Sequence, residues 1–159
     1  MKFNKAIKNL FIVLFSTLLI SACSTAKKAK VDTVDDVYTG TDTVEFLAQG
    51  VPDRIFFATN KSKLTTASRD TLRKQATWMR KNKDVTVTVE GHADERGTRE
   101  YNLALGERRA NAAKDYLMTY GVSGKRISVI SYGKERPVNP ASSPLAWSQN
   151  RRSVTVKAN

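Results

Sequence analysis

The sequence predicts an α+β domain, a two-layer sandwich of βαβαββ order with its helices on one face of a four-stranded sheet. Three observations lead there. The run Val85-Thr86-Val87-Thr88-Val89 alternates with period two, which puts three valines on one strand face and two threonines on the other. Two longer segments, 66–83 and 100–120, carry apolar residues at helical spacing. Short apolar or β-branched runs at 55–57, 126–132 and 153–156 complete the order strand, helix, strand, helix, strand, strand.

Taken in order, Ile55-Phe56-Phe57 suits a buried strand, and the domain proper is expected to begin near Asp53. The helix over 66–83 places Leu72, Ala76 and Met79 on one face, with Asn82 and Asp84 marking the turn after it. The helix over 100–120 stops at Gly121, a residue favoured just past a helix end. Its expected inward stripe is Tyr101, Leu105, Ala112, Tyr116 and Tyr120. In the strand over 126–132, Ile127, Val129 and Tyr132 are expected to point inward. Pro137, Pro140 and Pro144 punctuate a loop, Trp147 opens a short helix, and Ser153-Val154-Thr155-Val156 is the last strand. Two right-handed crossovers follow if the strands flanking each helix are parallel.

The first residues are set apart from this fold. Lys2, Lys5 and Lys8 precede an apolar run from Leu10 to Ile20, and Ser21-Ala22 supplies small residues at a cleavage site. The run is short for a bilayer span, which needs about 20 apolar residues. Cys23 is the only cysteine, so an internal disulfide is impossible, and a free exported thiol would be a liability. Residues 24–50 are polar and small, and are expected to form a flexible tether. The expected division is a signal over 1–22, a tether over 23–50 and a folded domain over 51–159.

Formal net charge is +12, of which Lys2, Lys5 and Lys8 carry three, leaving +9 beyond residue 22. Such a balance suits anionic envelope polymers and lipid surfaces. The lysines and arginines are scattered and no nucleic-acid motif accompanies them, so no nucleic-acid partner is expected.

The chemistry concentrates in Gly91-His92-Ala93-Asp94-Glu95-Arg96-Gly97 and Glu107-Arg108-Arg109-Ala110. Asp94 follows a strand by a few positions. Arg109, four residues after Leu105, starts from the buried side of the helix, while Arg108 is offset by about 100° toward solvent. A carboxylate and a guanidinium meeting at one spot suit a zwitterion, because the arginine fork matches a carboxylate with two parallel bonds. They equally suit an internal salt bridge that orients loop and helix. Asn102 either caps locally or reaches a ligand, and Arg151 either joins the pocket or stays solvated. His92, the only histidine, could pair with Asp94 in a hydrolase, but no Gly-x-Ser-x-Gly elbow accompanies it, so a packed structural role is expected. One histidine and one cysteine also fall short of a zinc site, and no metal or cofactor is expected.

These residues resemble the signature of the OmpA-like peptidoglycan-binding domain family over roughly 53–157. Gly91-His92-Ala93-Asp94 corresponds to that family's strand-end acid. Asn102, Leu105 and Arg108-Arg109-Ala110 correspond to its helix, Ser131 to Pro137 to its Gly-x-x-x-Pro loop, and Asn150-Arg151-Arg152 to its terminal Asn-Arg-Arg. Gly106 and Arg99 depart from the common serine and proline there. The segment Ile20-Ser21-Ala22-Cys23 resembles a bacterial lipobox, which implies an N-acyl chain and a diacylglycerol thioether on Cys23. Ser24 in place of an aspartate favours the outer membrane, with the domain facing the periplasm.

The resemblance implies noncovalent, non-enzymatic binding of diaminopimelate in the peptidoglycan stem peptide. Arg109 would grip the carboxylate bidentately and Asp94 would accept the ammonium, with Asn102 and Arg151 nearby. It also implies partners, TolB and through it the other Tol proteins, with a role in envelope integrity and cell division. A monomer is the default expectation. The alternatives are a wall-binding lipoprotein outside the Tol system and a secreted wall hydrolase.

Overall fold

The computed structural model describes residues 31–32 and 36–158. The expected signal over 1–22 and Cys23 lie outside the described residues. Four strands form the main sheet: β5 (Arg54–Phe56), β6 (Thr86–His92), β7 (Ile127–Gly133) and β8 (Arg152–Ala158), in spatial order β5-β8-β6-β7. β8 is antiparallel to β5 and β6, and β6 is parallel to β7, so β5, β6 and β7 share one direction. The long helices α1 (Thr66–Lys81) and α2 (Arg99–Thr119) therefore connect parallel strands, with β8 inserted between β5 and β6. The short helix α3 (Pro144–Asn150) leads into β8.

The core lies between this sheet and the two long helices. Ile55, Phe57, Val87, Val89 and Ile127 meet Leu72, Ala76 and Met79 of α1 and Ala110, Ala113 and Leu117 of α2. Val87 and Val89 are buried as their alternation predicts. α1 starts where Thr65 accepts the Ser68 N–H at 3.1 Å, an N-cap that satisfies an orphan donor. At its other end the Arg126 guanidinium donates to the carbonyls of Met79, Asn82 and Val85, closing acceptors that a helix terminus leaves open.

Three sequence expectations are corrected. The inward stripe of α2 is Asn102, Leu105, Gly106, Arg109, Ala110, Ala113 and Leu117, whereas Tyr101 and Tyr120 are exposed. The inward face uses small residues because the helix lies directly on β6: a Cβ on Gly91 would stand 1.8 Å from the Gly106 carbonyl oxygen. Of the expected tyrosines Tyr116 alone packs against the core, half-buried at its edge. Tyr132 does not share the inward side of Ile127 and Val129, because strand residues alternate and it differs in parity. Its ring instead lies 5.6 Å from that of His92 and 3.8 Å from the Arg136 guanidinium.

The folded region also begins earlier than residue 51. β1 (Val31–Asp32) pairs with β2 (Val37–Tyr38), and β3 (Phe46–Ala48) with β4 (Val51–Pro52). Tyr38 and Leu47 are buried, and the Tyr38 ring meets Phe56 edge-on at 4.7 Å. Average composition hides this, because a few spaced apolar anchors suffice when a core already exists to receive them. Asp53 ties the join, exchanging hydrogen bonds with Glu45 and holding Arg54 at 2.7 Å.

Candidate functional site

The site lies at one end of the sheet, where β5 and β6 finish and β8 begins. Beyond His92 the chain leaves the ladder after a register shift, and Ala93 N–H donates to the Gly133 carbonyl at 2.7 Å. The following loop is closed by its own polar groups. Asp94 Oδ1 accepts the Arg96 backbone N–H at 3.1 Å, and Gly97 takes φ +91, which glycine adopts without strain. Asn102 Nδ2 donates to the Arg96 carbonyl at 2.9 Å, and Lys134 Nζ to the Gly97 carbonyl at 2.7 Å. Thr98 is the residue that caps α2, accepting the Tyr101 N–H at 3.2 Å. Asn102 thus fastens the loop to the helix.

Asp94 is buried and faces two guanidiniums. Arg96 reaches both of its oxygens, with Nη2 at 2.7 Å from Oδ2, and Arg151 Nη1 stands 3.4 Å from the same oxygen. Burial works to raise the Asp94 pKa. The Arg96 hydrogen bonds, with the charges of Arg96 and Arg151, outweigh it and hold the carboxyl below its ordinary value. Arg96 is itself 42% exposed and stacks 4.3 Å over the Trp147 ring. Trp147 Nε1 and the Ser142 hydroxyl donate to the two oxygens of Glu95, at 2.8 and 3.0 Å. Arg96, Trp147 and Glu95 form the rim of the site.

Arg109 emerges from the buried side of α2, as its phase predicts, and Arg108 is exposed. The expected bidentate grip on a carboxylate is not what its side chain is doing here. Its guanidinium donates to three backbone carbonyls: Nε to Lys61 at 2.9 Å, Nη1 to His92 at 2.8 Å and Nη2 to Ala58 at 3.1 Å. The carbon of that guanidinium stands 5.2 Å over the Phe57 ring. Among the described residues no ion pair joins Arg109 to Asp94; their coupling is through space. Burial, helped by the Arg151 charge and opposed by Asp94, pushes its pKa down to about 9, so the group stays cationic at neutral pH.

Arg151 is 1% exposed and enters the same site, its Nε donating to the Phe57 carbonyl at 3.1 Å. Its remaining charged partner is Asp36, with Nη2 at 2.9 Å from Oδ1. Of the four residues expected in the pocket, the structure brings Asp94 and Arg151 into contact, sets Arg109 behind them and uses Asn102 as a fastener. Sequence reasoning missed Arg96 and Asp36. Arg96 was signalled by its position two residues after a loop aspartate, while nothing local signals Asp36.

His92 is buried on the opposite sheet face, with Nε2 at 3.4 Å from Glu90 Oε2. Burial, together with the Arg152 charge, pushes its pKa down to about 3. The unfolded chain takes up this proton below about pH 6.5 and the folded chain does not, so its contribution is complete above pH 6.5 and is lost toward pH 3. Between pH 6.5 and 5, above the carboxylate range, this group alone should cost stability at a rate that steepens from about 0.7 toward about 1.4 kcal/mol per pH unit. Urea titrations at pH 7, 6 and 5 should show that slope in the native chain and a flatter one in His92→Gln. Parallel slopes would assign the acid loss to other groups.

Comparison with known proteins agrees with this architecture. Residues 56–151 match the model of the OmpA family. The chain is 44% identical over 150 residues to the peptidoglycan-associated lipoprotein of Brucella melitensis, covering 91% of this chain and 89% of that one. It is 55% identical over 106 residues to that of Mesorhizobium japonicum, but spans only 63% of that relative's length. The crystal structure of the peptidoglycan-associated lipoprotein from Burkholderia pseudomallei superposes with a TM-score of 0.65 at 32% identity, covering 67% of this chain and 90% of that one. Each relative is named for association with peptidoglycan. The chain belongs to the OmpA family, among the peptidoglycan-associated lipoproteins.

Proposed function

We propose that this chain binds the free, zwitterionic end of diaminopimelate in the peptidoglycan stem peptide, and that a lipid on Cys23 holds it to the outer membrane. Binding is noncovalent and no bond is made or broken. The observation that carries the reading is the meeting of one buried carboxylate, Asp94, with the guanidiniums of Arg151 and Arg96 at the sheet end, and Arg109 behind them. The ligand ammonium would replace the exposed Arg96 guanidinium on Asp94, and the ligand carboxylate would lie toward Arg151 in the field of Arg109. Multiple copies on one polymer need only modest affinity each. Engagement of TolB, and with it a place in the Tol–Pal system at division, rests on the family resemblance.

Calorimetric titration with diaminopimelate-containing and lysine-containing stem peptides tests the site. The diaminopimelate peptide should bind preferentially, because only it presents the second carboxylate. Asp94→Asn, checked for folding by circular dichroism, should weaken it by roughly 10- to 100-fold, the worth of a hydrogen bond to a charged group. Equal binding of both peptides, or undiminished binding by the variant, would place the site elsewhere.

A further inference from the structure

The carboxylate that covers Arg151 comes from the segment ahead of the sheet, and we propose that Asp36 is an intramolecular competitor that holds the ligand carboxylate's place until the wall displaces it. This inference rests on the binding reading given above. Arg151 is 1% exposed although it lies at the sheet end, and what closes its outer side is Asp36, whose own side chain is 44% exposed. Asp36 offers Arg151 two acceptors at once, a carboxylate oxygen at 2.9 Å and its main-chain carbonyl. Its other carboxylate oxygen accepts the Thr59 hydroxyl, and Thr59 in turn accepts Arg96 Nη2 at 3.3 Å. Two carboxylates, Asp36 and Asp94, thus face two guanidiniums, Arg151 and Arg96, in a closed set.

A zwitterion cannot enter that set without opening it. Its ammonium needs Asp94, which Arg96 must release, and its carboxylate needs Arg151, which Asp36 must release. Asp36 takes φ +54, a conformation that aspartate tolerates better than most residues, and it is held by a two-residue strand beside it. Beyond Asp36 the arm is anchored by the buried Tyr38 ring on Phe56, 4.7 Å away and outside the core between the sheet and the long helices, so its release means lifting that ring from Phe56. Docking of residues 36–38 and binding of the wall peptide are then mutually exclusive, and by linkage each weakens the other equally.

The test uses the full chain in detergent micelles with meso-diaminopimelate as probe. Asp36→Asn keeps the main-chain acceptor and the shape but removes the charge. If the docked arm masks most of the population, the variant should bind about three- to tenfold tighter, the factor by which a competing state lowers apparent affinity. In the native chain, amide hydrogen exchange at Val37 and Tyr38 should speed up at saturating ligand. Equal affinities, weaker binding by the variant or unchanged exchange would each overturn the competitor and leave the site standing. No binding by either chain would overturn the site itself, and the competitor with it.

Discussion

Replacing Gly91 with alanine is expected to cost about 3 kcal/mol or more, the upper range for overpacking a rigid interface. A Cβ there would lie 1.8 Å from the Gly106 carbonyl oxygen and 2.5 Å from its carbonyl carbon. Both are backbone atoms of α2, so no rotamer change relieves the collision and the helix must shift as a body. That helix carries Asn102 and Arg109, and its displacement would loosen the site as well as the core. Gly91 lies within β6, paired with Ser131 and Ser153, and its role is the close approach of α2. Urea denaturation of native and variant chains measures the effect. An unchanged midpoint would mean that α2 has slack against β6.

The second large effect is at Arg109. Arg109→Ala removes three hydrogen bonds from a charged donor and leaves the carbonyls of Ala58, Lys61 and His92 without it. Stranding buried partners in this way costs about 3–5 kcal/mol, a large part of the 5–15 kcal/mol that holds a typical domain together. Ala58 and Lys61 follow β5 and His92 ends β6, so Arg109 clamps two loops that wall the site. Arg109→Lys, with one ammonium for three acceptors, should recover only part of the loss. Stability and stem-peptide affinity must be measured together, because the clamp predicts that they fall in step. A variant that keeps native stability and yet loses binding would show that the guanidinium serves the ligand directly.

The helix phase of Arg109 was legible because burial on a helix follows a fixed angular period, and four residues after Leu105 leaves little freedom. The strand over Val85 to Val89 was legible for the equivalent reason, a period of two. The tyrosine stripe of α2 misled because hydrophobicity was read where size decided: a helix seated on glycine needs small residues facing it, and Gly106, Ala110 and Ala113 supply them. Residues 36–50 misled because averaged polarity conceals Tyr38 and Leu47.

The order of elements, the acid at the end of β6 and the buried phase of Arg109 came from the sequence alone, since each depends on neighbours within a few turns or a short loop. Only the tertiary structure decided what those groups do. It turned Arg109 toward carbonyls 48 and 51 residues away in the chain, and brought Asp36 across 115 residues to Arg151. Such partners are chosen by the chain's path through space, which local periodicity does not encode.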